Sequence, residues 1–453
     1  MYILYEFLEI CYFYVFLAVT VIKSKLFVFL KLQDSAGGMT AMVGKLEASE
    51  NCAGRSCMEI DDFPRMPSYG AARPPGLSSI MGGCGIAGCI DLNGGKIRGD
   101  KIARMLSIMS ERENGLGSGY VAYGLFPDHK DDYCLQFFFD NEESMFAVEE
   151  CLKNRGEITR DERVYTASQS DVPLPHPMVW RYFFVPKSSS NSKYKDSDQC
   201  IADLVMNINA SIHGAFCISS GKDMAVFKGN GYSYQIAEYY DLGRYEAQMW
   251  CSHSRFPTNT PGWWAGAHPI SLLDWSVCHN GEITSYGVNR KFVEMNGYRC
   301  TLLTDSEVIT YTWDILVRKH GLPLQAAAFA MAPGYYKDIE LMDERSRQLA
   351  QQLRITYKEA FLNGPFSILV GRSRPEITML AMADRKKLRP LIIGHNEDEG
   401  IVYAASEECA IRIVDDDAYT WVTNPGNPMI ARVGEGIVRY GTEKPFEGVF
   451  NEQ

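Results

Sequence analysis

The stretch "IMGGCGIAGCIDL", Ile80–Leu92, sets Cys84 among small and apolar residues, with no charge before Asp91. Short runs of this kind, bounded by turn formers, read as strands covered on both faces. Cys84 then either packs at the mouth of a buried strand or stands at the start of the working protein. The chain on either side favours a beginning here. Residues 1–32 are apolar and aromatic, but their longest uncharged run is "ICYFYVFLAVTVI", Ile10–Ile22. That is short of the roughly 18 residues a membrane-spanning helix needs. Glu6 and Glu9 stand where a signal peptide carries positive charge, and no small-residue cleavage site follows closely. Residues 33–80 then turn rich in Gly, Ser, Pro and Met, as linkers do. Residues 1–83 are therefore expected to be a leader or propeptide, or residues ahead of a start placed too early, without packed structure. A membrane anchor is the less favoured reading.

From residue 84 onward the texture is that of a folded domain. "CGIAGCIDL" and "GSGYVAYGLF" read as strands and Lys101–Glu113 as an amphipathic helix. Residues 133–230 have their own rhythm of strand, helix, strand and helix. They end in "AFCISSGKDMAVFKG", which reads as a hairpin, and the whole block is expected to be an inserted α+β subdomain. Helices are expected at 305–320 and roughly 338–361, and "FSILVG", "ITMLAMAD", "LIIGHN" and "GIVYAAS" as strands beyond them. Many strands with few helices point to α+β layers rather than an alternating doubly wound sheet.

Composition narrows the function. A net charge of -11 with no long basic run argues against nucleic acid or an anionic membrane as the main partner. The cysteine count is odd, 13, without framework spacing or a CxxC pair. That points to a reducing cytoplasm and away from a zinc ribbon or an iron–sulfur cluster held by this chain. No metal site is expected.

Chemistry concentrates in "WCSHSRFPTNTPGWWAGAHPISLLDWSVCHNGEI", Trp250–Ile283. Arg255 offers a planar fork suited to a carboxylate. Asn280 and Gly281 offer a side-chain amide and an unobstructed backbone N–H, the parts of an oxyanion hole. In "TLLTDSEVI", Asp305 opens a helix, and taken alone it reads as an N-cap. Cys89, Cys251 and Cys278 read as packed thiols, and His253 and His279 as residues that orient loops.

Taken in order, Cys84-Gly85-Ile86, His253-Ser254-Arg255-Phe256-Pro257-Thr258-Asn259-Thr260, Ala267-His268-Pro269, His279-Asn280-Gly281-Glu282-Ile283 and Thr304-Asp305-Ser306-Glu307 resemble the class II glutamine amidotransferases. "HSRFPTNTPGWW", "HNGEITSYGVN" and "DRKKLRPL" look most like the glutaminase portion of glutamate synthase in its free-standing archaeal-type form. The resemblance covers residues 84 to about 440.

It implies an N-terminal nucleophile hydrolase, a four-layer αββα sandwich. Cys84 would attack with its own α-amine as general base, which requires the bond after Gly83 to be cut. An α-amine titrates near 8, close enough to working pH to accept a thiol proton. Arg255 would grip the substrate α-carboxylate, Asp305 its α-ammonium, and Asn280 and Gly281 the oxyanion. Thr258 and His268 would line the pocket. The implied activity is hydrolysis of L-glutamine to glutamate and ammonia, with no cofactor in this chain. A partner synthase would carry flavin mononucleotide (FMN) and iron–sulfur centres. The alternatives are delivery of ammonia to a different synthase, or a catalytically silent regulatory or scaffold subunit of the same fold.

Overall fold

Residues 15–22, 25–33, 39–45, 83–168, 170–187, 196–257 and 260–447 are described by a computed structural model. The chain divides into two units, Met1–Phe63 and Pro64–Gln453. In the first, Val15–Ile22, Lys25–Gln33 and Met39–Lys45 pair as a three-stranded antiparallel sheet. These strands fall within the segment read from sequence as a leader or propeptide, where apolar and aromatic residues in runs too short for a membrane helix suit strand pairing. The linker expected over 33–80 lies outside the described residues from 46 onward.

In the second unit, the stretch around Cys84 forms β1, Gly85–Asp91, buried along almost its whole length. It sits at the centre of a seven-stranded antiparallel sheet. β2 (Ser118–Tyr123), β7 (Met224–Gly229) and β8 (Met249–Ser254) lie to one side of it, and β13 (Ile392–Asn396), β14 (Ile401–Ala405) and β15 (Tyr419–Trp421) to the other. The order is β7-β2-β8-β1-β14-β13-β15. A six-stranded antiparallel sheet faces it. This is built in spatial order from β9 (Ile270–Leu272), β10 (Trp275–Gly281), β11 (Phe366–Arg372), β12 (Thr378–Ala383), β16 (Met429–Arg432) and β17 (Gly436–Arg439).

Small residues let the sheets close. A Cβ on Gly88 would lie 2.6 Å from Leu369 Cδ2, and one on Gly371 would lie 2.5 Å from the Tyr123 hydroxyl oxygen. That hydroxyl donates across the interface to Ser276 Oγ at 2.6 Å. α1 (Gly99–Ser107) and α4 (Ser233–Tyr239) cover the outer face of the larger sheet, through Ile102, Met105, Leu106 and Ile236. α6 (Asp305–Trp313), packed on the preceding α5 (Tyr286–Met295), covers the smaller one, with Trp313 stacked on Trp275. The result is the α+β, four-layer αββα sandwich expected. The helix expected over 101–113 stops at Ser107 and continues as a 3₁₀ turn, Ser110–Arg112. The one expected over 305–320 passes into π-helical geometry at Asp314–Lys319.

Residues 133–219 supply a separate four-stranded sheet. Its strands are β3 (Tyr133–Phe139), β4 (Gly156–Arg163), β5 (Met178–Pro186) and β6 (Ala215–Ser219), in the order β6-β3-β5-β4. α2 (Glu142–Arg155) and α3 (Ser197–Ser211) pack on it. Asn141 caps α2 by accepting from Ser144 N at 2.9 Å. Here one expectation is corrected: β6 and β7 are not a hairpin. β6 pairs with β3, and β7 crosses to β2 of the larger sheet. The Ser219–Asp223 turn between them is docked on the neighbouring backbone, Ser220 Oγ accepting from Leu273 N at 2.9 Å. In place of a strand partner, the Gln136 side chain bonds both backbone groups of Val226, at 2.7 and 3.1 Å.

Candidate active site

At one end of the two central sheets, β1, β8, β10 and α6 converge on a cavity of about 480 Å³. Cys84, Arg255, His268, His279, Gly281, Asp305 and Ser306 are among its lining residues. The segments quoted from the sequence, 84–86, 253–257, 267–269, 279–283 and 304–307, thus meet in one place, although more than two hundred residues separate the first from the last. Thr258 lies outside the described residues.

Cys84 precedes β1, and its Sγ accepts a hydrogen bond from the Phe256 backbone N–H at 3.3 Å. Burial raises the thiol above its ordinary value. The Phe256 N–H and the guanidinium groups of Arg255 and Arg389 oppose that rise, while Asp305 adds to it. A neutral thiol at rest requires a base before it can attack.

Arg255 leaves the end of β8 and is almost wholly buried. Its Nη1 donates to the carbonyls of Pro261 and Gly266, both at 3.2 Å, and its Nη2 to Thr260 Oγ1. It forms no ion pair with a carboxylate among the described residues. Burial lowers its pKa, and the nearby Cys84 and Asp305 counter this. A desolvated guanidinium without a counter-ion is costly, and a carboxylate ligand relieves the cost.

Asp305 is the first residue of α6. The capping position belongs to Thr304, whose Oγ1 accepts from Ser306 N at 3.4 Å, which corrects the N-cap reading. The Asp305 carboxylate is therefore free to turn inward, where Oδ2 accepts from Ile283 N at 2.9 Å and Oδ1 lies 3.6 Å from His279 Nδ1. Burial works against its ionisation, but His279, Ile283 N–H and Ser306 together hold it below the usual carboxylate range. It remains an anion at neutral pH.

Asn280 is fully buried near the end of β10, and both side-chain polar atoms lack a hydrogen-bond partner among the described residues. Its Oδ1 lies 3.4 Å from where a Cβ on Gly83 would be, so the amide faces the backbone leading into Cys84. Rotation about χ2 exchanges the amide oxygen and nitrogen, so either can be presented there. Gly281 has φ +147°, and a Cβ there would lie 2.0 Å from the Pro365 carbonyl oxygen, so only glycine fits.

His268 stacks on His253 with ring centroids 4.2 Å apart, and neither of its nitrogens has a partner among the described residues. Burial drives His268 well below its ordinary value and His253 down to about 3, so both rings are neutral. His253 contacts the His279 carbonyl through Nε2 at 2.8 Å, and His279 contacts Ser306 Oγ through Nδ1 at 3.0 Å, so the two rings tie β8 to β10 and β10 to the first turn of α6. The buried Lys228 amine, pushed down to about 7 by burial, straps the loop carrying His268, donating to the carbonyls of Ala265 (2.8 Å) and Pro269 (3.1 Å). Unpartnered buried polar atoms are rare in folded proteins. Their concentration on Asn280, His268 and His279 marks a surface built to meet a polar ligand.

Sequence reasoning passed over three residues here: His279 as a cavity wall, Ser306, and Arg389. Arg389 stood within the quoted "DRKKLRPL", where spacing gave no sign of its position. Cys89, Cys251 and Cys278 are fully buried, as expected of packed thiols. Trp263 and Trp264 belong to the core, and Trp263 donates to the Leu302 carbonyl behind the cavity. Among the described residues no cluster of His, Cys, Asp and Glu is arranged to hold a metal, and no helix is long and apolar enough to cross a membrane.

Comparison with known proteins gives this arrangement a context. The sequence profile described as "Glutamine amidotransferases class-II" matches residues 197–442. An uncharacterized protein of Archaeoglobus fulgidus is 42% identical over 354 residues, covering 77% of this chain and 92% of its own. A protein of Methanothermobacter thermautotrophicus, provisionally named a glutamine amidotransferase, is 25% identical and covers 77% of this chain and all of its own length. An amidophosphoribosyltransferase of Methanocaldococcus jannaschii is 25% identical over 223 residues, 48% of this chain and 40% of that enzyme.

Proposed function

The chain belongs to the class II glutamine amidotransferases, and from that premise we propose that it hydrolyses L-glutamine to L-glutamate and ammonia through a thioester on Cys84. The observation that carries the reading is the convergence on one cavity of a thiol, an ionised carboxylate and a buried guanidinium without a carboxylate partner among the described residues. Free glutamine matches that set from end to end. Its α-carboxylate meets Arg255, its α-ammonium meets Asp305, and its side-chain amide reaches the sulfur.

In this reading the Gly83–Cys84 bond is opened first, by the chain's own processing, and residue 84 gains a free amine. The thiol proton passes to that amine as sulfur adds to the amide carbon, and the oxyanion is held by Asn280 and the Gly281 N–H. Collapse breaks the C–N bond, and the same proton leaves with ammonia. Water then adds to the thioester carbon, the C–S bond breaks, and glutamate and the thiol are restored. His268 completes the pocket wall.

The ammonia goes to a synthase, which we propose is of glutamate synthase type. FMN and iron–sulfur centres belong to that partner and not to this chain. One observation favours a second reading: in the full chain the Cys84 nitrogen is part of a peptide bond, so an unopened chain would bind glutamine as a silent subunit. The test is release of glutamate and ammonia from L-glutamine by the purified chain, alone and with Cys84→Ala. Turnover abolished by the substitution supports the enzyme. Turnover retained in Cys84→Ala moves the chemistry to another residue, and none in the wild-type chain favours the silent subunit.

A further inference from the structure

Arg389 carries the only guanidinium around Cys84 whose role the reaction above leaves unassigned and that has no ion pair or hydrogen bond among the described residues. It sits on the turn linking β12 in one sheet to β13 in the other. Asp384, buried at the end of β12, builds that turn. Its carboxylate accepts from Lys386 N (2.8 Å), Leu388 N (2.9 Å) and Phe366 N (3.2 Å), and Lys387 takes φ +53°. The turn throws Arg389 back toward the start of β1. Its Nη1 lies 3.1 Å from where a Cβ on Gly83 would be, and its Nε is buried without a partner. Covalent geometry then puts the guanidinium within about 7 Å of the Cys84 nitrogen.

The other charged or titratable groups facing that nitrogen are already committed. Arg112, 3.6 Å from the same Gly83 position, is ion-paired with Glu407. Arg255 is held by loop carbonyls and is open to a substrate carboxylate. Asp305 accepts from the Ile283 N–H at 2.9 Å and is open to a substrate ammonium. Among the described residues, Arg389 alone is uncommitted.

We infer that Arg389 is a positioning residue for the general base: its fixed positive charge holds the α-amine of residue 84 in the neutral form that can accept the thiol proton. This rests on the thioester reading above. The physical basis is like-charge repulsion. A cation at this distance disfavours the ammonium, so the amine stays unprotonated to lower pH than a free terminus does. The nearby Arg389 also favours the Cys84 thiolate.

The experiment is a pair of pH titrations on the purified full chain after opening at the Gly83–Cys84 bond, for wild type, Arg389→Gln and Arg389→Lys. The first follows the ¹⁵N resonance of the residue 84 amine in [¹⁵N]cysteine-labelled protein, and the second follows kcat/KM for glutamine. In Arg389→Gln both midpoints are expected to move up by roughly one pH unit, with kcat/KM several-fold lower at pH 7 and the deficit shrinking as pH rises. Arg389→Lys, which keeps the charge, is expected to restore the wild-type midpoint. Coincident midpoints in wild type and Arg389→Gln overturn the inference. So does a deficit of the same factor at every pH, or an equal shift in Arg389→Lys, either of which marks a structural role. If wild type turns over no glutamine, the glutaminase reading falls, and the amine resonance still decides the role of Arg389.

Discussion

Arg255 illustrates how one side chain can be over-determined by its surroundings and still incomplete. Two carbonyls and a hydroxyl fix its plane, yet its charge is met by no anion among the described residues. Truncating one partner of a buried, hydrogen-bonded charge pair costs about 2–5 kcal/mol. Arg255→Gln is therefore expected to lower kcat/KM for glutamine by roughly 30-fold to several-thousand-fold, mostly through KM, as steady-state kinetics would show. An unchanged KM would mean that the guanidinium does not hold the substrate. At this scale the sequence was informative, because Cys84, Arg255, Asn280, Gly281 and Asp305 sit in short motifs whose residue types suit the chemistry. Arg389 was not legible, because its place beside Gly83 is set by a turn that only the folded Asp384 network reveals.

Among the elements, the end of β10 carries the heaviest constraint. Gly281 closes the strand at a φ that other residues rarely adopt, against the Pro365 carbonyl. The preceding Asn280 depends on that closure for its direction. Gly281→Ala is expected to destabilise the protein by about 2–4 kcal/mol and to abolish glutamine turnover, both readable from urea denaturation and an activity assay on the same sample. Wild-type stability in the variant would show that the strand end can relax. Most strands and helices could be read from periodicity and caps, since burial of β1 and capping of α2 depend on local residue types. Partners could not. The period of Ala215–Gly229 announces two strands but not that Gln136 stands in for a neighbour along Val226 and sends β7 to another sheet. The three strands paired between residues 15 and 45 were missed for a related reason, because apolar content was weighed against a membrane helix and not against pairing.

Across the whole molecule, closing two sheets on one core buries titratable groups of opposite tendency. His253 and His268 stay neutral in the fold, so below their ordinary value of 6.5 the unfolded chain binds more protons, and stability falls as pH drops. Burial pushes Glu113 and Glu307 up to about 7, against hydrogen bonds from Ser233 and from Thr301, Tyr311 and Leu302 respectively. The fold therefore keeps their protons above pH 4.5, where the unfolded chain has lost them, and their contribution falls as pH rises toward 7. The two slopes oppose each other between pH 4.5 and 6.5. Glu307→Gln removes one of them, so the variant should gain stability relative to wild type as pH rises from 4.5 to 7, by up to about 1.4 kcal/mol per pH unit. Urea denaturation at several pH values checks this, and a constant difference between the two proteins would contradict it.

The most direct test of the central claim is to trap the nucleophile. The purified protein would be treated with a diazoketone analogue of glutamine, which alkylates the thiol that attacks the amide position, and then mapped by peptide mass spectrometry. The account predicts one equivalent of label, on a peptide whose first residue is Cys84, with labelling blocked by excess L-glutamine. Label on any other residue, or on a Cys84 peptide still joined to Gly83, would contradict it.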